Sequence, residues 1–151
     1  MVKLKINCDG GARGNPGPAG VGIVIQIRST KHEIRNKSKI QNQKLSKYIG
    51  VATNNQAEYQ AVIEALKYLN ENFAGQAIQA DFLLDSQLVV EQLNGNYKLK
   101  NEGLKPLFSQ IQELMVKIGG EITFTFIPRQ QNKAADKLVN EAIDKELNKN
   151  V

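Results

Sequence analysis

The chain has 151 residues, 41% hydrophobic and 23% charged, which fits one soluble globular domain with a real core. No apolar run approaches ~18 residues, so no membrane span is expected, and the alternating N-terminus does not read as a signal peptide. The net charge of +5 suits either a polyanionic partner or a solvated basic surface, while a lone cysteine, Cys8, excludes an internal disulfide and makes a reducing cytoplasm the economical expectation.

Residues 1–8 alternate with period two: Leu4, Ile6 and Cys8 face one way, Lys5, Asn7 and Asp9 the other. The glycine- and proline-rich run at residues 10–18 reads as a break. Residues 20–28, carrying Val21, Ile23, Val24, Ile25 and Ile27, form a second strand. A third strand, or a pair of short ones, lies within residues 33–50, with a polar turn near Asn42. No helix separates these strands, so they are expected to pair antiparallel.

The period then changes. Ala57, Ala61, Val62, Ala65, Leu66 and Leu69 recur at helical spacing, with Thr53 or Asn54 as N-cap. Residues 78–84 form a short apolar strand, and residues 86–93 a short helix ended at Gly95. Leu104, Leu107, Phe108, Ile111, Leu114, Met115 and Ile118 make another helical stripe, closed by Gly119 and Gly120. Residues 122–127 are a last strand stopped by Pro128, and Ala134, Ala135, Leu138, Val139, Ala142, Ile143 and Leu147 mark a terminal helix. The order is β-β-β-α-β-α-α-β-α, with no repeat or linker.

Four segments in this order each place one carboxylate where a strand or helix meets a loop: Asp9, Glu58, Asp85 and Asp136. With the fourth strand parallel to the first, Asp9 and Asp85 share the carboxyl edge of the sheet, where open α/β sheets bind ligands. Asp136, at the start of the terminal helix, reaches the same edge, and Glu58 lies one turn into the helix behind it. Converging acids repel and desolvate badly, and divalent cations are the usual reason a fold tolerates them. If these four meet, the chain is a metal-dependent enzyme acting on phosphate esters. Setting them aside leaves a body more basic still, which suits a polyanion held at a metal site.

The matching pieces are Asp9-Gly10-Gly11 with Gly14-Asn15-Pro16-Gly17, Thr53-Asn54-Asn55 ahead of Glu58, Asp85-Ser86-Gln87-Leu88-Val89, and Ala135-Asp136-Lys137-Leu138. Carrying these in order, the chain resembles type 1 ribonuclease H along nearly its whole length, as a single domain over residues 1–151. The resemblance implies an α/β ribonuclease H-like fold: a five-stranded mixed sheet, with three antiparallel and two parallel joins, flanked by helices. It implies an endoribonuclease that hydrolyses the RNA strand of RNA–DNA hybrids with two Mg²⁺ ions, Mn²⁺ as a substitute, leaving 5′-phosphate and 3′-hydroxyl ends. Asp9 would bridge both ions, Asp136 would help hold the water-activating one, and Glu58 and Asp85 would hold the one at the leaving oxygen. Asn15, Asn54, Asn55 and Gln87 would face the minor groove and its 2′-hydroxyls. Thr53 would bind a DNA-strand phosphate, and Gly10 and Gly11 would let the substrate come close. A monomer is expected, with double-stranded RNA as a second candidate substrate.

Two departures stand out. Many members carry a histidine in the loop before the last acid; here that loop reads Pro128-Arg129-Gln130-Gln131-Asn132 and the one histidine is His32. Arg129 in that place binds phosphate but cannot shuttle a proton. The basic handle of some members is also missing, only Asn96-Tyr97-Lys98-Leu99-Lys100-Asn101 lying there, so affinity would rest on Lys98 and Lys100 or on a further partner. Taken singly, Asp9 reads as a turn former, Asn54 as a cap, Cys8 as a small apolar filler, His32 as a surface strand residue, and residues 137–149 as a solvated helix face, while for Asn15 a mere turn role is the lesser alternative. Two other functions compete: a non-catalytic nucleic-acid module, against which four intact acids argue, and a nuclease or strand transferase of the wider fold group.

Overall fold

The computed structural model describes residues 1–29 and 42–149; His32 and the first part of the expected third strand lie outside them. The elements are β1 (Val2–Ala12), β2 (Gly17–Ser29), β3 (Gln43–Ala52), α1 (Asn54–Asn72), β4 (Ile78–Leu84), α2 (Gln87–Leu93), α3 (Lys105–Ile118), β5 (Glu121–Phe126), a single 3₁₀ turn (Arg129–Gln131) and α4 (Lys133–Leu147). The expected order of strands and helices holds, and the sheet runs β3-β2-β1-β4-β5. β2 lies antiparallel to β1 and β3, while β4 lies parallel to β1 and β5. One count needs correction: three antiparallel strands are joined by two antiparallel joins, because an open sheet of five strands has four joins in all.

The glycines after Asp9 behave differently from the expected break. They do not break the strand: β1 runs on to Ala12, with Gly10 opposite Val21 and Ala12 opposite Ala19. Gly10 is there for the helix. A Cβ on it would stand 2.1 Å from the carbonyl oxygen of Ala57, so α1 can settle this close to the sheet only over a glycine. Gly22 does the same for α4 on the opposite face, where a Cβ would stand 2.1 Å from the carbonyl oxygen of Ala135.

The two faces follow from strand parity. Val2, Leu4, Ile6 and Cys8 are buried with Ile23, Ile25, Phe82 and the apolar side of α1, and Cys8 is the apolar filler expected of it. α1 is buried on most sides because α3 packs over it. Of the two candidate N-caps, Thr53 is the cap: its Oγ1 accepts from the Gln56 amide at 3.1 Å, and Gln56 Oε1 accepts from the Thr53 amide at 2.9 Å. α4 covers β2 and β3 on the other face. Among the described residues no helix is long and apolar enough to cross a membrane.

Candidate active site

Parallel pairing of β1 with β4 ends at Asn7 opposite Leu83, so Asp9 and Asp85 emerge side by side where it stops. Glu58 projects from the second turn of α1, brought in by the close seat over Gly10. Carboxylate oxygens of Asp9, Glu58 and Asp85 lie within 4.8 Å of one another. Asp136, in the exposed first turn of α4, is outside that tight group but lines the same cleft of about 460 Å³. Gly10, Gly11, Asn54, Asn55 and Arg129 line it too.

The inner acids are costly. Asp9 and Glu58 are only 7% and 6% exposed. The Gly10 amide donates to Asp9 Oδ1 at 3.0 Å and to Glu58 Oε1 at 3.3 Å, but Glu58 Oε2 is buried without a hydrogen-bond partner. Burial pushes Asp9 up to about 7, against a lowering hydrogen bond with Glu58, and the charges of Asp85 and Asp136 add to the rise. Burial also drives Glu58 well above the usual carboxylate range, helped by its hydrogen bond with Asp9 and by the charges of Asp9 and Asp85. Without a cation both acids are therefore harder to ionise than ordinary carboxylates. An all-oxygen donor set with an unpartnered, buried carboxylate oxygen fits a hard divalent cation such as Mg²⁺ or Mn²⁺.

The expected substrate residues fall into three groups. Asn15 and Asn54 are joined: Asn54 Oδ1 accepts from the Ala12 amide at 2.9 Å, and Asn15 Oδ1 accepts from the Asn54 amide at 3.0 Å. Asn54 is thus a tie between α1 and the β1–β2 loop, where its sequence context allowed a cap. Thr53 caps α1, and its hydroxyl, accepting from Gln56, keeps its own proton to donate. Gln87 is exposed at the start of α2, away from the cleft lining, and Arg129 is exposed in the 3₁₀ turn beside Asp136.

Sequence reasoning missed Asn132 and Arg13. Asn132 is 1% exposed, and its Nδ2 donates to the Cys8 carbonyl at 2.9 Å and to Asp85 Oδ2 at 3.1 Å. Its Oδ1 accepts from Asn7 at 3.1 Å. An asparagine just before a helix reads as a cap, yet Asn132 makes no capping bond because its side chain is engaged inside. Arg13 lines the cleft and reaches α4, with Nη1 2.6 Å from Asp144 Oδ1 and Nη2 3.3 Å from Asn140 Oδ1.

A family described as reverse transcriptase-like matches residues 7–142. A bifunctional protein of Mycobacterium tuberculosis is 38% identical over 143 residues, 95% of this chain. The chain spans only 36% of the length of that protein and its mycobacterial counterparts. The ribonuclease HI of Halobacterium salinarum is 38% identical over 136 residues, 90% of this chain and 62% of its own. Among solved structures, LC11-RNase H1, isolated from compost by a metagenomic approach, is 43% identical with a TM-score of 0.82, covering 97% of this chain and 99% of its own. The same enzyme has been solved in complex with an RNA/DNA hybrid; that structure is 41% identical with a TM-score of 0.80, over 95% of this chain and 99% of its own.

Proposed function

Because the chain belongs to the type 1 ribonuclease H family, we propose that it is a metal-dependent endoribonuclease hydrolysing the RNA strand of RNA–DNA hybrids. Products with 5′-phosphate and 3′-hydroxyl ends are expected. One observation carries the reading: the convergence of Asp9, Glu58 and Asp85 within 4.8 Å at the carboxyl edge of the sheet, with a buried Glu58 oxygen left unpartnered. A nucleic-acid module without chemistry would have no reason to bear that cost.

Asp9, Glu58, Asp85 and Asp136 would hold two Mg²⁺ ions, with Mn²⁺ as a substitute. When bound, the ions supply the charge that activates water and stabilises the leaving oxygen in an in-line displacement. Asn132 holds Asp85 in place through its 3.1 Å donor bond. Asn15, Asn54, Asn55 and Gln87 address the minor groove. Since the Oδ1 atoms of Asn15 and Asn54 are engaged within the chain, what these two offer is the amide NH₂, a donor to 2′-hydroxyl oxygens and minor-groove base acceptors. Thr53 donates a hydrogen bond from its hydroxyl to a DNA-strand phosphate, the backbone at Gly10 and Gly11 lets the RNA approach, and Arg129 anchors a phosphate without moving a proton. The enzyme works as a monomer in a reducing cytoplasm, consistent with its single, buried cysteine.

The test is cleavage of RNA–DNA hybrid, double-stranded RNA, single-stranded RNA and duplex DNA, each with Mg²⁺ and with Mn²⁺, with end analysis of the products. Hybrid should be cut in the RNA strand alone. Absence of hybrid cleavage with both ions overturns the reading, and equal cleavage of double-stranded RNA overturns its specificity.

A further inference from the structure

Asp136 is the one acid of the four on an exposed surface, and what fixes its place is the seat of α4. Gly22 and Gly20 set the height of that helix over β2, where added Cβ atoms would meet the carbonyl oxygens of Ala135 and Val139. Its N-terminal end is tied to Asp85 and β1 through Asn132, and Ser46 Oγ on β3 donates to the Leu138 carbonyl at 2.6 Å.

Arg13 adds a tie from the β1–β2 side, further along the helix. Asp136, Asn140 and Asp144 recur at four-residue spacing, so they form one stripe along α4. The Arg13 guanidinium grips the later two, 2.6 Å from Asp144 Oδ1 and 3.3 Å from Asn140 Oδ1. Asn140 Nδ2 in turn donates to the Asp136 carbonyl oxygen at 3.1 Å. The base of the arm is stiff. The Arg13 amide donates to the Pro18 carbonyl at 2.8 Å, and its own carbonyl lies so close to Gly17 that a Cβ there would be 2.0 Å away. One residue earlier, the loop is tied to α1 through Asn54.

We propose that Arg13 is a positioning residue that clamps α4 to the β1–β2 loop and thereby holds the Asp136 carboxylate over the cleft. Asp144 is the other jaw. It absorbs the guanidinium charge, so Arg13 does not compete with a cation for Asp136. This rests on the proposed hydrolysis for its kinetic consequence, though not for the clamp itself.

The experiment compares wild type with Arg13→Ala, Arg13→Lys, Asp144→Ala and the Arg13→Ala/Asp144→Ala double variant. In metal-free protein, amide hydrogen exchange in the first two turns of α4 should rise several-fold in both single alanine variants, while exchange in β1 and α1 stays as in wild type. On RNA–DNA hybrid, kcat should fall about tenfold with KM within about twofold, because a small misplacement at the reacting centre acts on rate more than on binding. The double variant should be no worse than either single one, and Arg13→Lys, which keeps one jaw, should recover part of kcat. If Arg13 contacts a substrate phosphate instead, KM rises, the salt slope of binding drops by about one, and Asp144→Ala is neutral or better; that pattern overturns the proposal. Unchanged exchange in α4 overturns it too. Should Arg13→Ala not fold, Asp144→Ala carries the same comparison. If wild type fails to cut hybrid, the functional reading falls while the exchange result still decides the clamp.

Discussion

Asn132→Ala should damage both stability and rate, by amounts that follow from its three bonds. The side chain is 1% exposed and links Asn7 on β1, the Cys8 carbonyl and Asp85 beyond β4. Truncation deprives the Cys8 carbonyl of this donor in a fully buried setting, at a cost of about 1–3 kcal/mol. Asn7 and Asp85 are half-buried and recover water, so they add less. The void left by the amide brings the sum to about 2–3 kcal/mol, or a fall in Tm of about 5–10 °C for a domain of this size. Asp85 also loses its holder, so kcat should drop at least about tenfold even at temperatures where the variant is folded. Asn132→Asp should be worse, since it keeps the size but turns a new carboxylate toward Asp85 and the Cys8 carbonyl. Urea unfolding of metal-free protein and steady-state cleavage of hybrid measure the two effects. A loss under about 1 kcal/mol together with an unchanged kcat would refute the reasoning.

Asp9→Asn should abolish hybrid cleavage and leave the metal-free fold at least as stable, since it removes a buried charge. The pH dependence gives the sign: Asp9 rises from an ordinary 3.8 to about 7 in the fold, so between those values the native state holds a proton that the unfolded chain has lost. Wild-type stability without metal should therefore fall as pH climbs through that window, and the slope should flatten in Asp9→Asn or with excess Mg²⁺; a metal-free wild type whose Tm is flat or rising from pH 4 to 7 contradicts this. Arg129→Ala should weaken hybrid binding and lower its salt slope by about one without stopping chemistry, and a loss of rate as complete as that of Asp9→Asn would exclude a simple phosphate anchor. Asn54→Ala should cut hybrid cleavage ~10-fold at the net worth of its hydrogen bonds. If Asn54 reads a 2′-hydroxyl, one 2′-deoxy substitution that harms wild type becomes nearly silent in the variant; if none does, it serves only to tie the loop.

The sequence made local periodicity legible and long-range contact illegible. Parity in β1 named its buried side correctly because Leu4, Ile6 and Cys8 need only a sheet with one apolar face. The start of α1 was readable to within one residue, but the choice between Thr53 and Asn54 was not; Gln56, three residues after Thr53, settles it by completing the capping box. Gly10 misled because a glycine required by a turn and one required by a passing helix look alike in sequence. The distinction lies in Ala57, on a helix that only the folded chain brings over the strand. Asn132 and Arg13 escaped for the same reason: their partners lie far away, Asn7 and Cys8 for the one, Asn140 and Asp144 for the other.

Those close approaches also explain how the fold carries a site it pays for in buried charge. Glu58 meets Asp9 because α1 sits over Gly10, and Asp136 reaches the cleft because α4 sits over Gly22, opposite Asp9 itself in the β1–β2 ladder. A side chain at either glycine would push a helix off the sheet and carry its carboxylate along. The same backbone proximity that gathers the acids strips water from two of them and raises Asp9 and Glu58. Convergence and desolvation are thus one structural event. A bound cation would offset its cost in a way that loosely spaced, hydrated carboxylates could not exploit, because an exposed acid has nothing to gain from relief of burial. That is why the unpartnered oxygen of Glu58, more than the mere count of acids, argues for chemistry at this edge of the sheet.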